Sequence, residues 1–256
     1  MTKRSLNTFA NHAPKKEWLI CFFDQGSEFF ENNSLGANQL VCFTRFLSDA
    51  GLIAKKKVTP FFNFIKRIGW ENAEAWAYIL VQLSYSNNQF RWYLHNLPVD
   101  SEIIDRARIE RRLCDLGVSR MDACSIINAF GRIVNETPLG TRLHFGEVEL
   151  KGKSIVAIRR KSSPEVSPIV ILYSLYRYAE AEKVCQITLD SLMDFDKSRV
   201  GMSPVLLFGM TKDELANNIK SLVQNHNDYI YTTTAHNSDI IIRTDLHNAD
   251  DVLGLR

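Results

Sequence analysis

The sequence predicts a mainly α-helical protein with small β-hairpins, built as two winged-helix-like modules that flank a helical, aromatic-rich middle. Three observations predict this. Apolar residues recur at spacings of three and four in most long segments, which places them on helical faces. Short β-branched or alternating runs occur in pairs around turn residues, as hairpins do. In the C-terminal third, helix, strand, helix, turn, helix and hairpin follow one another in the order of a winged helix.

At 256 residues and 45% hydrophobic, the chain has enough apolar material for a large core, which excludes disorder throughout. Its net charge of +2 comes from 31 Lys and Arg against 29 Asp and Glu, so a nucleic-acid surface would have to arise from local clustering. No run approaches the roughly 18 apolar residues that span a bilayer. The Met1-Thr2-Lys3-Arg4-Ser5 start lacks an apolar signal core, so the expected location is the cytoplasm, with no membrane partner. Cys21, Cys42, Cys114, Cys124 and Cys185 form no C-x-x-C pair and read as reduced thiols.

Residues 1–16 are polar and read as a flexible N-terminal arm. The first module is expected over 17–68. Trp18 to Phe23 form its first apolar run, and Ser27 offers a cap to a short helix. Leu40, Phe43, Phe46, Leu47 and Ala50 then define one helical face closed by Gly51. On that helix Asn38, Gln39, Thr44 and Arg45 are expected to face outward, with Lys55, Lys56 and Lys57 following on a first wing strand. The same pattern also suits a helix-turn-helix used only for packing.

The middle is expected over 69–163. Its aromatic density would suit base stacking, but Trp76, Ile79, Leu80 and Leu83 fall at helical spacing, which favours a core stripe. Asp100 or Ser101 is expected to cap a helix through Leu116, whose Arg106, Arg108, Arg111 and Arg112 alternate with acids and so form an ion-paired, solvated face. A helix from Ser119 or Arg120 to about Asn135 ends at Thr137-Pro138-Leu139-Gly140. A hairpin around Lys151-Gly152-Lys153 follows and leaves as Arg159-Arg160-Lys161-Ser162-Ser163-Pro164, a candidate boundary.

The second module is expected over 164–256: a helix from Pro168 to about Lys183, a strand at Gln186 to Leu189, and a short helix around Ser203 to Gly209. Thr211 and Glu214 then form a capping box for a helix burying Leu215, Ile219 and Leu222. Two strands around Ala235-His236-Asn237-Ser238 complete it.

Phosphate-binding glycine loops of the G-x-x-x-x-G-K-[ST] or G-x-G-x-x-G type are absent, and no histidine pair has zinc-site spacing. His95 and His144 read as structural. Asp190, Asp194 and Asp196, and separately Asp250 and Asp251, are the acid clusters that a magnesium nuclease would need, but Asp-rich turns are commonly only turns. No catalytic residue, metal ligand or cofactor is assigned.

Several landmarks occur in one order: Asn38-Gln39-Leu40-Val41 opening a helix that ends Phe46-Leu47-Ser48-Asp49-Ala50-Gly51-Leu52, the Trp76 helix followed by Phe90-Arg91-Trp92-Tyr93, Thr137-Pro138-Leu139-Gly140, and Pro168 to Tyr176. In these the chain resembles an uncharacterised bacterial domain family that occurs near DNA phosphorothioation and phage-defence genes, and as the C-terminal region of proteins resembling phosphoadenosine phosphosulfate (PAPS) reductase. The resemblance implies an accessory role in DNA modification or defence. It brings no catalytic residues, and the reductase-like half is not in this sequence.

The expected function is a non-catalytic, DNA-binding or adaptor component of such a system, with double-stranded DNA and protein subunits of the complex as partners. Gln39, Arg45, Lys55, Lys56 and Lys57 would serve the first module. Arg159, Arg160 and Lys161, with Lys212, Asn217, Asn218 and Lys220 on the second recognition helix, would extend the contact. The alternative is a protein-interaction subunit that docks on a PAPS-reductase-like or ATPase partner without touching DNA.

Overall fold

The computed structural model describes residues 6–10, 12–100, 103–163, 165–233 and 239–255. Helices make up 56% of the chain and the sheets have two or three antiparallel strands, so the protein is mainly α with small hairpins. It divides into two compact units, Met1–Lys161 and Ser162–Arg256.

The first unit begins with α1 (Lys16–Gln25), a 3-10 turn (Gly26–Phe30) and α2 (Ala37–Asp49). A minimal hairpin pairs β1 (Ile53–Ala54) with β2 (Lys57–Val58), and no third strand joins it among the described residues. Next come α3 (Pro60–Ile68), α4 (Ala73–Ser86) and α5 (Asn88–Asn96). Then β3 (Ile104–Asp105) leads into α6 (Arg106–Cys114), α7 (Arg120–Glu136) and the single turn α8 (Pro138–Thr141). The unit closes with β4 (Gly146–Lys151) and β5 (Ser154–Arg160), in a sheet of order β3-β5-β4.

The aromatic-rich middle is core. Phe61, Phe62, Phe64, Trp76, Tyr78, Phe90, Trp92 and Tyr93 are all buried. Phe23 stacks on Phe62 at 5.2 Å and on Trp70 at 4.9 Å, and Tyr93 stacks on Phe130, which meets Phe145 edge-on at 6.2 Å. Each such ring removes roughly 150–250 Å² from water and adds directional ring contacts, which suits it to fixing helix positions. Helices α3 and α5 were not assigned from the sequence; both are nine residues long, and α3 exposes Asn63, Lys66 and Arg67 while burying Phe61, Phe62, Phe64 and Ile65.

Three expectations are corrected. The segment read as an arm packs where it is described: Thr8, Phe9 and Ala13 are buried, and Phe9 meets Phe46 edge-on at 6.0 Å. The division at 68/69 is crossed by the core, because Phe46 of α2 stacks on Trp76 of α4 at 6.3 Å and the buried Asn87 amide donates to Asp49 at 2.8 Å. The helix expected to begin at Asp100 or Ser101 begins at Arg106 instead, capped by Asp105, whose carboxylate accepts from the Arg108 amide at 2.7 Å. Ile104 and Asp105 pair with Ile158 and Ala157 of β5, so the chain stays extended up to the cap. Ser101, Glu102, Pro164 and the turn residues Ala235 to Ser238 lie outside the described residues.

The Arg159-Arg160-Lys161 exit also reads differently in three dimensions. Strand β5 continues through Arg160, whose side chain points inward and is 4% exposed. Its guanidinium donates to the carbonyl oxygens of Leu94 at 2.8 Å and Leu97 at 3.4 Å, and lies 5.6 Å from the Phe145 ring. The cation thus closes the C-terminal end of α5, where carbonyls lack partners and the helix dipole is negative. Burial pushes the guanidinium down to about 9, which still leaves it charged at neutral pH.

A second polar node joins α6 to α7. Arg106 donates to Glu110 at 2.8 Å, to Asn128 at 2.8 Å and to the Ile155 carbonyl at 3.2 Å, while the Cys124 thiol donates to Glu110 at 3.3 Å. Burial, the largest single influence on Glu110, pushes its carboxyl up. Hydrogen bonds from Arg106 and Cys124, with the charges of Arg106 and Arg120, outweigh it and hold the carboxyl below its ordinary value of 4.5.

The second unit runs α9 (Pro168–Glu182), β6 (Gln186–Ile187), α10 (Leu189–Met193), α11 (Pro204–Phe208), α12 (Lys212–Asn225), β7 (Ile230–Thr233), β8 (Asp239–Ile242) and α13 (Ala249–Val252). Strand β8 lies between β6 and β7, with Ile240 facing both Ile187 and Thr232. The Thr211 and Glu214 capping box forms as expected, at 2.7 and 3.2 Å. Gly209, at φ 68, ends α11 in the left-handed region and turns the chain towards α12.

Two outcomes follow from these contacts. Replacing Arg160 by Met leaves two buried carbonyls without their donor, and thermal unfolding should show a loss of roughly 2–3 kcal/mol. Lysine, which lacks the planar fork, should not restore it. For Glu110→Gln, the melting-temperature difference from the wild-type chain should be full at neutral pH. It should vanish as pH falls below 4.5 through the lower folded-state value, because a depressed carboxylate stabilises only while ionised.

Candidate nucleic-acid interface

In the second unit, α12 turns Leu215, Ile219 and Leu222 into the core. That orientation leaves Asp213, Asn217, Lys220 and Gln224 exposed at spacings of four, three and four, so they form one outward stripe. Asn217, Lys220 and Gln224 make no side-chain hydrogen bond or ion pair among the described residues. Amide and ammonium groups without internal partners are the chemistry that meets base edges in a major groove. Gln224 was missed in the sequence, although its position four residues beyond Lys220 places it on the same face.

The other two predicted residues of this helix are partly committed. Asn218 is half-buried and donates to the Glu214 carbonyl at 2.8 Å. Lys212 pairs with Asp190 at 2.6 Å, both well exposed, so the contact is weak but neutralises the cation locally.

In the first unit, Lys55, Lys56 and Lys57 are exposed at the tip of the β1–β2 hairpin, and none makes an ion pair among the described residues. Lys57 lies on β2, while Lys55 and Lys56 form the two-residue turn. The base of this hairpin is fixed by Ser27, whose hydroxyl accepts from the Val58 amide at 3.1 Å, and by Thr59, whose hydroxyl donates to the Gly51 carbonyl at 2.7 Å. Arg45 is half-buried on α2. Burial pushes the neighbouring Cys42 thiol up, and the Arg45 charge partly offsets this. Gln39 uses its side-chain oxygen to accept from the Gly36 amide at 3.0 Å, capping α2.

The basic exit of the β4–β5 hairpin does not join this surface as expected. Arg160 is buried, Lys161 pairs with Glu147, and Arg159 stands half-buried opposite Glu147 in the strand register. Arg159 lines a cleft of about 350 Å³ together with Glu147 and Glu149, so acids mask the run. Sequence order hid this, because the masking carboxylates lie on the partner strand.

The acid clusters are also occupied. Asp194 pairs with Arg199 at 3.0 Å, Asp196 accepts from Ser198 at 2.7 Å, and Asp251 accepts from the Asn248 amide at 2.8 Å to cap α13. Among the described residues, no three of the His, Cys, Asp and Glu side chains gather as a metal-binding group, and no helix is long and apolar enough to cross a membrane.

No protein-family model matches the chain, and no curated protein matches it. A crystal structure of SspB is similar to it, with a TM-score of 0.66 over 98% of this chain and 89% of the SspB chain, at 16% sequence identity. At that identity the likeness shows a shared fold that runs through both units.

Proposed function

We propose that the protein is a non-catalytic, DNA-binding component of a bacterial DNA-modification or phage-defence system of the phosphorothioation type. SspB is part of the phosphorothioation system, and the likeness in fold supports that setting. The order of landmarks along the sequence, from Asn38 to Tyr176, supports it independently.

The observation that carries the DNA reading is the open stripe Asn217, Lys220 and Gln224 on α12. In the second unit, a helix, a strand, two short helices, α12 and a hairpin, with the first strand paired to the last, follow the winged-helix order. In that arrangement α12 is the helix presented to a major groove. Asn and Gln are suited to adenine and Lys to guanine, each good pair discriminating by about 1–3 kcal/mol. Among the described residues Lys220 is the one unpaired cation on the stripe, and Asp213 stands at its end, so the helix would select sequence more than it supplies affinity. Phosphate contacts elsewhere would have to supply the rest.

A second reading, a protein-interaction subunit docking on a PAPS-reductase-like or ATPase partner, draws on the exposed Leu116, at 60% on the connection between α6 and α7, and Met121, at 78% in the first turn of α7. Binding of the full chain to a library of duplex oligonucleotides distinguishes the two. The proposal expects salt-sensitive retention with a sequence preference, which Asn217→Ala with Gln224→Ala flattens while weakening total retention less than tenfold. Absence of retention at low salt, with co-purification of neighbouring subunits intact, would leave the docking role alone.

A further inference from the structure

The turn of the β1–β2 hairpin is built from residues that the backbone disfavours. Ile53 pairs with Val58 and Ala54 with Lys57, which leaves Lys55 and Lys56 as a two-residue loop. Both have positive φ, 52° and 64°. A two-residue hairpin with positive φ at both central positions is a type I′ turn, and its favoured sequences are Asn-Gly and Asp-Gly. A side chain with a Cβ is strained in the left-handed region, and lysine has no short polar group to compensate through a local hydrogen bond. Two successive lysines there run against the local preference.

Packing does not account for them. Lys55, Lys56 and Lys57 are all exposed, and none is paired with a carboxylate among the described residues. The short type I′ turn aims its two residues away from the body of the protein. The hydrogen bonds from Ser27 and Thr59 at the hairpin base keep that aim fixed. Three like charges held close together repel one another until an anion joins them.

We infer that the Lys55-Lys56 tip is a preorganised contact for two backbone phosphates of duplex DNA, maintained at the expense of chain stability. This rests on the DNA reading above and assigns a separate element to affinity. Each phosphate neutralised should add about 0.9 to the slope of log K against log salt.

The test replaces the turn in the full chain by Lys55→Asn with Lys56→Gly, beside a charge-preserving control, Lys55→Arg with Lys56→Arg. The Asn-Gly variant should melt about 2 °C or more above the wild-type chain, while its salt slope falls by about two and its preference among duplex sequences is unchanged. The Arg-Arg control should keep both the wild-type slope and the wild-type melting temperature. A wild-type slope in the Asn-Gly variant, or a lower melting temperature, overturns this inference and leaves the α12 reading intact. Failure of the wild-type chain to bind duplex at any salt concentration overturns both.

Discussion

The buried Arg160 guanidinium sets the terms for the first unit. It bonds the carbonyls at the end of α5 from its place on β5, under the Phe145 ring. Around it the Tyr93, Phe130 and Phe145 rings join α5, α7 and the approach to β4. A buried cation is tolerated only where its donors are used, so the positions of α5 and β5 are fixed relative to each other. Elements that depend on that fixed sheet, including β3 and through it the start of α6, follow from the same contact.

This arrangement consumes groups that would otherwise suggest function. The rings of the helical middle, from Phe61 to Tyr93, are largely inside, and the Arg-Arg-Lys run that could meet phosphate is buried, masked or paired. Of the predicted contact residues, Asn217 and Lys220 on α12 and the three lysines of the hairpin before α3 stay exposed, without a side-chain partner among the described residues.

Much of the fold was legible because its signals are local. Helices α7, α9 and α12 announce themselves through Ser119, Pro168 and the Thr211 and Glu214 box; Ser119 and Thr211 are their caps in the structure, and Pro168 is the first helical residue after the Ser167 cap. The hairpins were legible from β-branched pairs around turn residues. What was hidden depends on partners distant in sequence. Whether Arg160 points inward is decided by the phase of β5 against β4, and Lys161 meets Glu147 only through that register. The sequence offers Asp100 and Ser101 as caps for α6, but pairing of Ile104 with Ile158 keeps the chain extended up to Asp105, which caps the helix instead. The lysine hairpin was visible as charge, but the left-handed backbone beneath it was not.

On the proposed reading, duplex DNA is met by exposed amides and ammonium groups, while Trp76, Trp92 and the other buried rings of the helical middle are withdrawn into the core. A competition measurement tests it most directly: the full chain bound to a labelled duplex is challenged with mixed-sequence single strands at equal phosphate concentration. The duplex is expected to stay bound. Its displacement by the single strands would contradict this reading, since stacking on unpaired bases would call on rings such as Trp76, Trp92 and Tyr93, which are buried.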